Sequence, residues 1–283
     1  MSKGYDIRFE DYNIIHENTK EDWKAFISTI NAKKREKILD LAGGYGDVTK
    51  NILAKSSPEI FIIDNSKEQL KRLEKKKIID LGKVRLADIK KIPFEDSYFD
   101  ACVIKMGIHE VSKKDQIKIF EEAFRVLKPK GRFVVWELAL NRYNQIFFQK
   151  FIRKKDKLSG FRKMAKKRYF PRGDENISNF NKAGFVNVQE KYTKNYCPKP
   201  SLRKHELVSK ENGRLSKEKL SKLSKKRLKR LIEYTRRIIS RELRESIAFK
   251  DFGEDIQFEV EKKIYVGYKP EAKKGEIKLR GKK

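Results

Sequence analysis

Three glycines fall within four residues in the run Ile38-Leu39-Asp40-Leu41-Ala42-Gly43-Gly44-Tyr45-Gly46-Asp47-Val48-Thr49. An apolar stretch ends on an acid, passes through the glycines and restarts as an amphipathic segment. The pattern predicts a buried strand, a tight turn and a helix. Glycine is required where the backbone takes positive φ or lies against a ligand with no Cβ between them. The helix start behind such a turn presents free N–H groups to an anionic group. A chain built on this turn is expected to be α/β and to hold a nucleotide-type cofactor at a strand end.

The rest of the chain supports that reading. A helical lead-in is expected over 5–35, with Trp23, Phe26, Ile27 and Ile30 at helical spacing. Strands are predicted at Ile38–Leu41, Ile60–Ile63, Val84–Leu86, Phe99–Ile104 and Arg132–Leu138, then at Val186–Tyr196 and Phe258–Tyr268. Helices are predicted at Asp47–Lys55, at 67–77 behind a Ser66 cap, and at Asp115–Leu127, the last stopped by Pro129. Strands alternating with helices at this spacing imply a parallel sheet covered on both faces.

A dinucleotide fingerprint, G-x-G-x-x-G/A, needs a small residue where Thr49 stands. With Asp40 two residues before Ala42, the run instead reads D-x-A-G-G-x-G. That pattern resembles the first motif of class I S-adenosylmethionine (SAM) methyltransferases. More narrowly, Leu39–Asp47 resembles the ubiquinone/menaquinone C-methyltransferases (methyltransferase type 11), whose turn commonly reads DLAGGTGD; Tyr45 here replaces the small threonine. The resemblance covers roughly 36–196 plus 257–269. It implies a Rossmann-like seven-stranded sheet with the last strand antiparallel, SAM as cofactor, and a methyl acceptor that is small and aromatic, quinone-like or lipid-like.

The resemblance also implies a site. Gly44 and Gly46, with Ala42 and Gly43, let the methionine portion of the cofactor lie against the backbone while Asp40 orients its ammonium group. Asp64, ending the second strand beside Asn65, accepts from both ribose hydroxyls. Asp88 and Ile89 serve the adenine, and Lys105 and Met106 flank the methionine tail. Carbon or phenol methylation needs a base. His109, just past the fourth strand, is the candidate, with Glu137 at the end of the fifth as the second polar candidate; the bland reading of His109 is a loop histidine bonded to backbone. His16 and His205 have no supporting neighbours.

Composition narrows the remaining classes. No apolar run approaches the ~18–20 residues of a membrane span and no signal peptide is evident. Cys102 and Cys197 have no partners at ligand spacing, so neither zinc nor a disulfide framework is expected. A cytoplasmic location, peripheral to the membrane at most, is the expectation. The net charge of +30 is uneven: residues 1–140 hold 28 Lys+Arg against 23 Asp+Glu, the remainder 42 against 17. An excess of one sign in one half points to a polyanionic partner or an anionic membrane surface.

The expected organisation is a lead-in (1–35), a SAM-binding core (36–140) and a basic helical segment (141–175). Completing strands follow in 176–196 and 255–270, around a basic helical insert acting as a cap (197–254), and a disordered tail ends the chain (271–283). The insert is expected to hold one long helix from Ser216 to about Ile247, striped by Leu220, Leu223, Leu231, Ile238, Ile239 and Leu243. Both basic segments leave the sheet at its ligand edge, so they are expected to engage the acceptor. Phe147, Phe148, Phe151 and Phe161, interleaved with basic residues, suit an anionic membrane. The alternatives are an RNA methyltransferase using the basic half and a non-catalytic SAM-fold binding protein. Against RNA, Lys105-Met106-Gly107-Ile108 stands where a base-methylating Asn-Pro-Pro-Tyr motif would.

Overall fold

The computed structural model of the chain describes residues 18–158, 161–196, 217–253 and 256–271, with the backbone alone at 196 and 217–224. Helix α1 (Lys20–Ile30) opens on a Thr19–Asp22 capping box and buries Phe26 and Ile30. Strand β1 (Lys37–Leu41) leads through the glycine turn into α2 (Asp47–Leu53). Then come β2 (Glu59–Asp64), α3 (Lys67–Lys76) with Ser66 accepting from the Gln69 N–H, and β3 (Val84–Leu86). β4 (Phe99–Lys105), α4 (Lys113–Val126) and β5 (Leu127–Leu138) complete the amino-terminal core. After it run α5 (Arg142–Leu158), α6 (Arg162–Lys167), α7 (Gly173–Lys182) and β6 (Val186–Tyr196). Helices α8 (Lys217–Ile238) and α9 (Arg241–Ser246), a small β7–β8 hairpin (Lys250–Asp251, Ile256–Gln257) and β9 (Val260–Tyr268) follow.

Seven strands form one sheet in the order β3-β2-β1-β4-β5-β9-β6. β1 pairs parallel with β2 and β4, and β9 runs antiparallel between β5 and β6. The order reverses at β1/β4, which places the ligand crevice beyond their carboxyl ends. Leu39, Cys102, Phe133 and Val135 pack toward α4 and α7, and Ile38, Val103, Val134 and Trp136 toward α1–α3. Burial on both faces explains why these strands are apolar almost without interruption. Arg132 ties α1 to the sheet, pairing with Glu36 at 2.7 Å and donating to the Ile30 carbonyl.

Several boundaries differ from those predicted. α4 stops at Val126, before Pro129, because Leu127 already pairs with Phe99; a bulge then carries β5 to Arg132 opposite Ala101. The long helix expected in the insert breaks at Ile239, where Ser240 caps α9 by accepting from the Leu243 N–H. β9 starts at Val260 rather than Phe258. The break expected at 175 falls inside α7. The stripe residues Leu220 and Leu223, together with His16, Cys197, His205 and 272–283, lie outside the described side chains.

The largest correction concerns the phenylalanines. Phe147, Phe148 and Phe151 are 2%, 3% and 0% exposed and pack with Phe170, Leu231, Ile232, Ile256 and Phe258. They build a second core that holds α5 and α8 together over the sheet edge, each contributing ~1.5–3 kcal/mol by burial. Phe161 is buried as well. None of the four faces outward as a membrane contact would require. No helix among the described residues is long and apolar enough to cross a membrane.

Candidate active site

The glycine turn takes the conformation its sequence demands. Gly44 has φ +54° and Gly46 φ +85°. A Cβ on Gly46 would meet Leu73 at 2.5 Å and Ile78 at 2.7 Å, and one on Gly44 would strike the Gln69 amide oxygen. Ala42 and Met106 also sit at positive φ, +52° and +54°. Both lie just past the paired ends of β1 and β4, so two side-chain-bearing residues hold strained backbone at the ligand edge.

Asp40 is fully buried at the end of β1. Its Oδ2 accepts from the Thr49 hydroxyl at 2.8 Å, while Oδ1 has no partner among the described residues. Burial pushes its carboxyl up to about 7 against the pull of the Thr49 bonds. An orphaned carboxylate oxygen beside a turn that excludes side chains fits the ammonium group of a SAM-type cofactor. Asp64, also buried, is braced by two backbone donors: Gly44 N–H to Oδ2 at 2.9 Å and Ser66 N–H to Oδ1 at 2.8 Å. These two bonds fix the orientation of the carboxylate at the end of β2.

The other predicted residues are spread along the same edge. Asn65 and Asp88 are exposed, and Asp88 accepts from the Lys90 N–H at 3.0 Å. Ile89 is buried in the core at the edge of β3. Lys105 ends β4 with its ammonium over the Trp23 and Trp136 rings, and Met106 is 4% exposed. Among the described residues no group of His, Cys, Asp and Glu side chains is arranged to hold a metal ion.

His109 and Glu137 meet. His109 Nδ1 lies 2.8 Å from Glu137 Oε1, and Glu137 Oε2 accepts from the Ile108 and His109 N–H groups at 2.9 and 3.3 Å. The far ring nitrogen, Nε2, lies 3.2 Å from Glu110 Oε1. That oxygen also accepts from Arg168 at 2.9 Å, and Arg168 pairs with Asp156 at 3.2 Å. Phe170 stacks on the imidazole at 5.0 Å. Burial lowers the His109 pKa, but Glu137 and Glu110 outweigh it, so the net shift is upward. The chain of charges joins the ends of β4 and β5 to α5.

Sequence reasoning missed Thr49, Glu110, Arg168, Trp136 and Lys262. The one local signal was Lys262: β9 alternates Val260, Lys262, Ile264, placing a charge at an inward position.

A profile of the ubiE/COQ5 methyltransferase family matches residues 2–197. The ubiquinone/menaquinone biosynthesis C-methyltransferase UbiE of Paraburkholderia phymatum is 37% identical over 123 residues, 41% of this chain and 49% of that protein. The chain thus spans about half the length of the relatives it matches. Among solved structures, the YcgJ protein from Bacillus subtilis has the same fold, with TM-score 0.68 and 18% identity over 90% of this chain and 100% of that one. Phosphoethanolamine N-methyltransferase 2 of Haemonchus contortus, in complex with S-adenosyl-L-methionine, covers 95% of this chain and 59% of its own at TM-score 0.56 and 15% identity. The profile spans well over half of the sequence and falls on the glycine turn and the strands around it: the chain belongs to the ubiE/COQ5 methyltransferase family.

Proposed function

We propose that this protein transfers a methyl group from SAM to a small aromatic, quinone-like acceptor, at carbon as the names of its UbiE relatives suggest. The observation that carries the cofactor assignment is Asp40, a buried carboxylate at the switch point of the sheet with one oxygen unpaired among the described residues. Asp40 and the glycine turn would hold the amino-acid portion, Asp64 the ribose, and Asp88 with Ile89 the adenine. SAM supplies an electrophilic methyl group when bound.

The chain's own contribution is positional. Holding the nucleophile in line and dry lowers such a barrier by ~7–11 kcal/mol. The segment 141–175 leaves the sheet at its ligand edge, and the buried phenylalanine core fixes α5 and α8 there, where they would select the acceptor. Both imidazole nitrogens of His109 face carboxylates, so it suits positioning the β4 and β5 ends better than taking a proton.

Calorimetric titration with SAM tests the cofactor assignment. Asp64→Ala should lose on the order of 1.5–3 kcal/mol of binding, and Gly44→Val should bind poorly because valine at φ +54° is strained. Unchanged affinity in both variants contradicts the assignment.

A further inference from the structure

Between the turn after β4 and helix α5 runs the segment Arg168–Phe170, and each of its main-chain polar groups is bonded. The Arg168 N–H donates to the Met164 carbonyl at 3.0 Å, and the Arg168 carbonyl accepts from Gln149 at 3.0 Å. The Tyr169 N–H donates to the His109 carbonyl at 3.1 Å, and the Tyr169 carbonyl accepts from Gln116 at 2.7 Å. The Phe170 N–H donates to Gln149 at 3.1 Å, and the Phe170 carbonyl accepts from Gln145 at 2.9 Å. Gln116 also donates to the Ile108 carbonyl at 3.1 Å. One side of the segment is therefore tied to Ile108 and His109 at the ligand edge, the other to α5.

The side chains repeat the arrangement. Phe170 stacks on the His109 imidazole at 5.0 Å and meets Phe148 of α5 edge to face at 5.0 Å. Arg168 is 6% exposed and donates to Glu110 Oε1 at 2.9 Å and to Asp156 of α5 at 3.2 Å. Its guanidinium lies 5.0 Å from the Phe170 ring centre. The Glu110 oxygen that Arg168 holds is the one 3.2 Å from His109 Nε2. A guanidinium fork holds two carboxylates at a fixed separation, which the point charge of a lysine does not. Buried charges joined in this way keep one arrangement, because breaking a link leaves a charge uncompensated. These bonds involve neither Asp40, the glycine turn nor Asp64, which lie on β1, β2 and the loop between β1 and α2.

We propose that Arg168 is a positioning residue of the methyl-transfer site: it holds Glu110 against the His109 ring and α5 against the turn after β4, and so fixes where the cap presents the acceptor. It acts through Glu110 and His109, and its consequence falls on the acceptor rather than on the cofactor. The acceptor's place beside this turn rests on the methyltransferase reading above.

The test compares Arg168→Gln, Arg168→Lys and Glu110→Gln with wild type in the full chain, by three measurements. NMR titration follows the His109 imidazole, identified by its loss in His109→Gln. The charged groups facing that ring are Glu137 from β5, Glu110 from its own turn and, through Glu110, Arg168 from the segment packed on it. Arg168→Gln removes a positive charge and should raise the His109 pKa above its wild-type value; Glu110→Gln should lower it, and Arg168→Lys should keep it. Calorimetry with S-adenosylhomocysteine should give affinities within about twofold of wild type in all three variants. Transfer from methyl-labelled SAM into a limiting amount of the lipid-soluble fraction of a cell extract should slow by about tenfold or more in both Gln variants and recover in part in Arg168→Lys. Glu110→Gln leaves Arg168 its bond to Asp156, so it breaks the same link where Arg168→Gln folds poorly. If the His109 titration is unmoved in the Gln variants, or S-adenosylhomocysteine binding falls as far as transfer does, the positioning role is overturned. If wild type transfers no label, the methyltransferase reading fails, while the imidazole titration still decides whether Arg168 governs His109.

Discussion

His109 Nδ1 and Glu137 Oε1 are 2.8 Å apart with both side chains buried, and the same carboxylate gathers the Ile108 and His109 N–H groups. Removing one partner of a buried pair leaves the other uncompensated, so Glu137→Gln should cost about 3–5 kcal/mol of stability. Because the folded His109 pKa lies above 6.5, its contribution is fully present below 6.5 and fades as pH rises through the folded value. Melts of wild type and His109→Gln should therefore differ most at acidic pH and converge in alkali. A difference that grows with pH contradicts the pairing.

Asp40 shifts in the same direction, but burial rather than pairing is the cause. Its folded pKa of about 7 exceeds the ordinary 3.8, so the ligand-free protein should lose stability as pH rises between those values. Asp40→Asn should be free of that loss and more stable than wild type above pH 7. The ionised form attracts an ammonium group, so wild-type SAM affinity should fall as pH drops below about 7, while the Asn variant should bind weakly at every pH. Calorimetry across that range checks both halves; a pH-independent wild type contradicts the role given to Asp40.

Lys262 carries a burial cost that an apolar side chain does not. Lys262→Met should stabilise the ligand-free protein by ~1–4 kcal/mol near neutrality. The unfolded chain holds its proton up to 10.5 and the folded one only to about 7, so the advantage should be fully present below about 7 and fade across the range from 7 to 10.5. Chemical denaturation at several pH values measures it. A destabilised variant at neutral pH would contradict a net burial cost at this position.

The contrast among these residues explains how far the sequence could be read. The turn around Gly44 and Gly46, the strand ending on Asp64 and the Ser66 cap depend on neighbours a few residues away, and their positions were legible. Lys262 becomes buried only because β9 inserts antiparallel between β5 and β6, strands that lie far earlier in the chain. Arg168 meets Glu110 across 58 residues. Phe147, Phe148 and Phe151, interleaved with basic residues, suited an anionic membrane because the partners that bury them, Leu231 and Phe258, come much later in the chain.

The basic face of α8 gives a further expectation. Lys225, Lys226, Lys229 and Arg230 are exposed and Arg227 half-buried, while Leu231, Ile232 and Thr235 face the cap core. Neutralising the five basic residues together should leave SAM affinity unchanged and alter stability by no more than about 0.5 kcal/mol per site. RNA binding by counterion release would fall log-linearly with salt. A quinone-like acceptor predicts no such slope in wild type or variant, and a steep slope abolished by the five changes would favour RNA.

Methyl-labelled SAM incubated with the protein and a fractionated cell extract tests the central claim most directly. The account predicts that label enters the small-molecule and lipid-soluble fractions, carried on an aromatic or quinone-like compound, and that Asp64→Ala slows the transfer by about tenfold or more at limiting SAM. Label recovered in RNA or protein, or no transfer to any fraction by a chain that binds SAM, would contradict it.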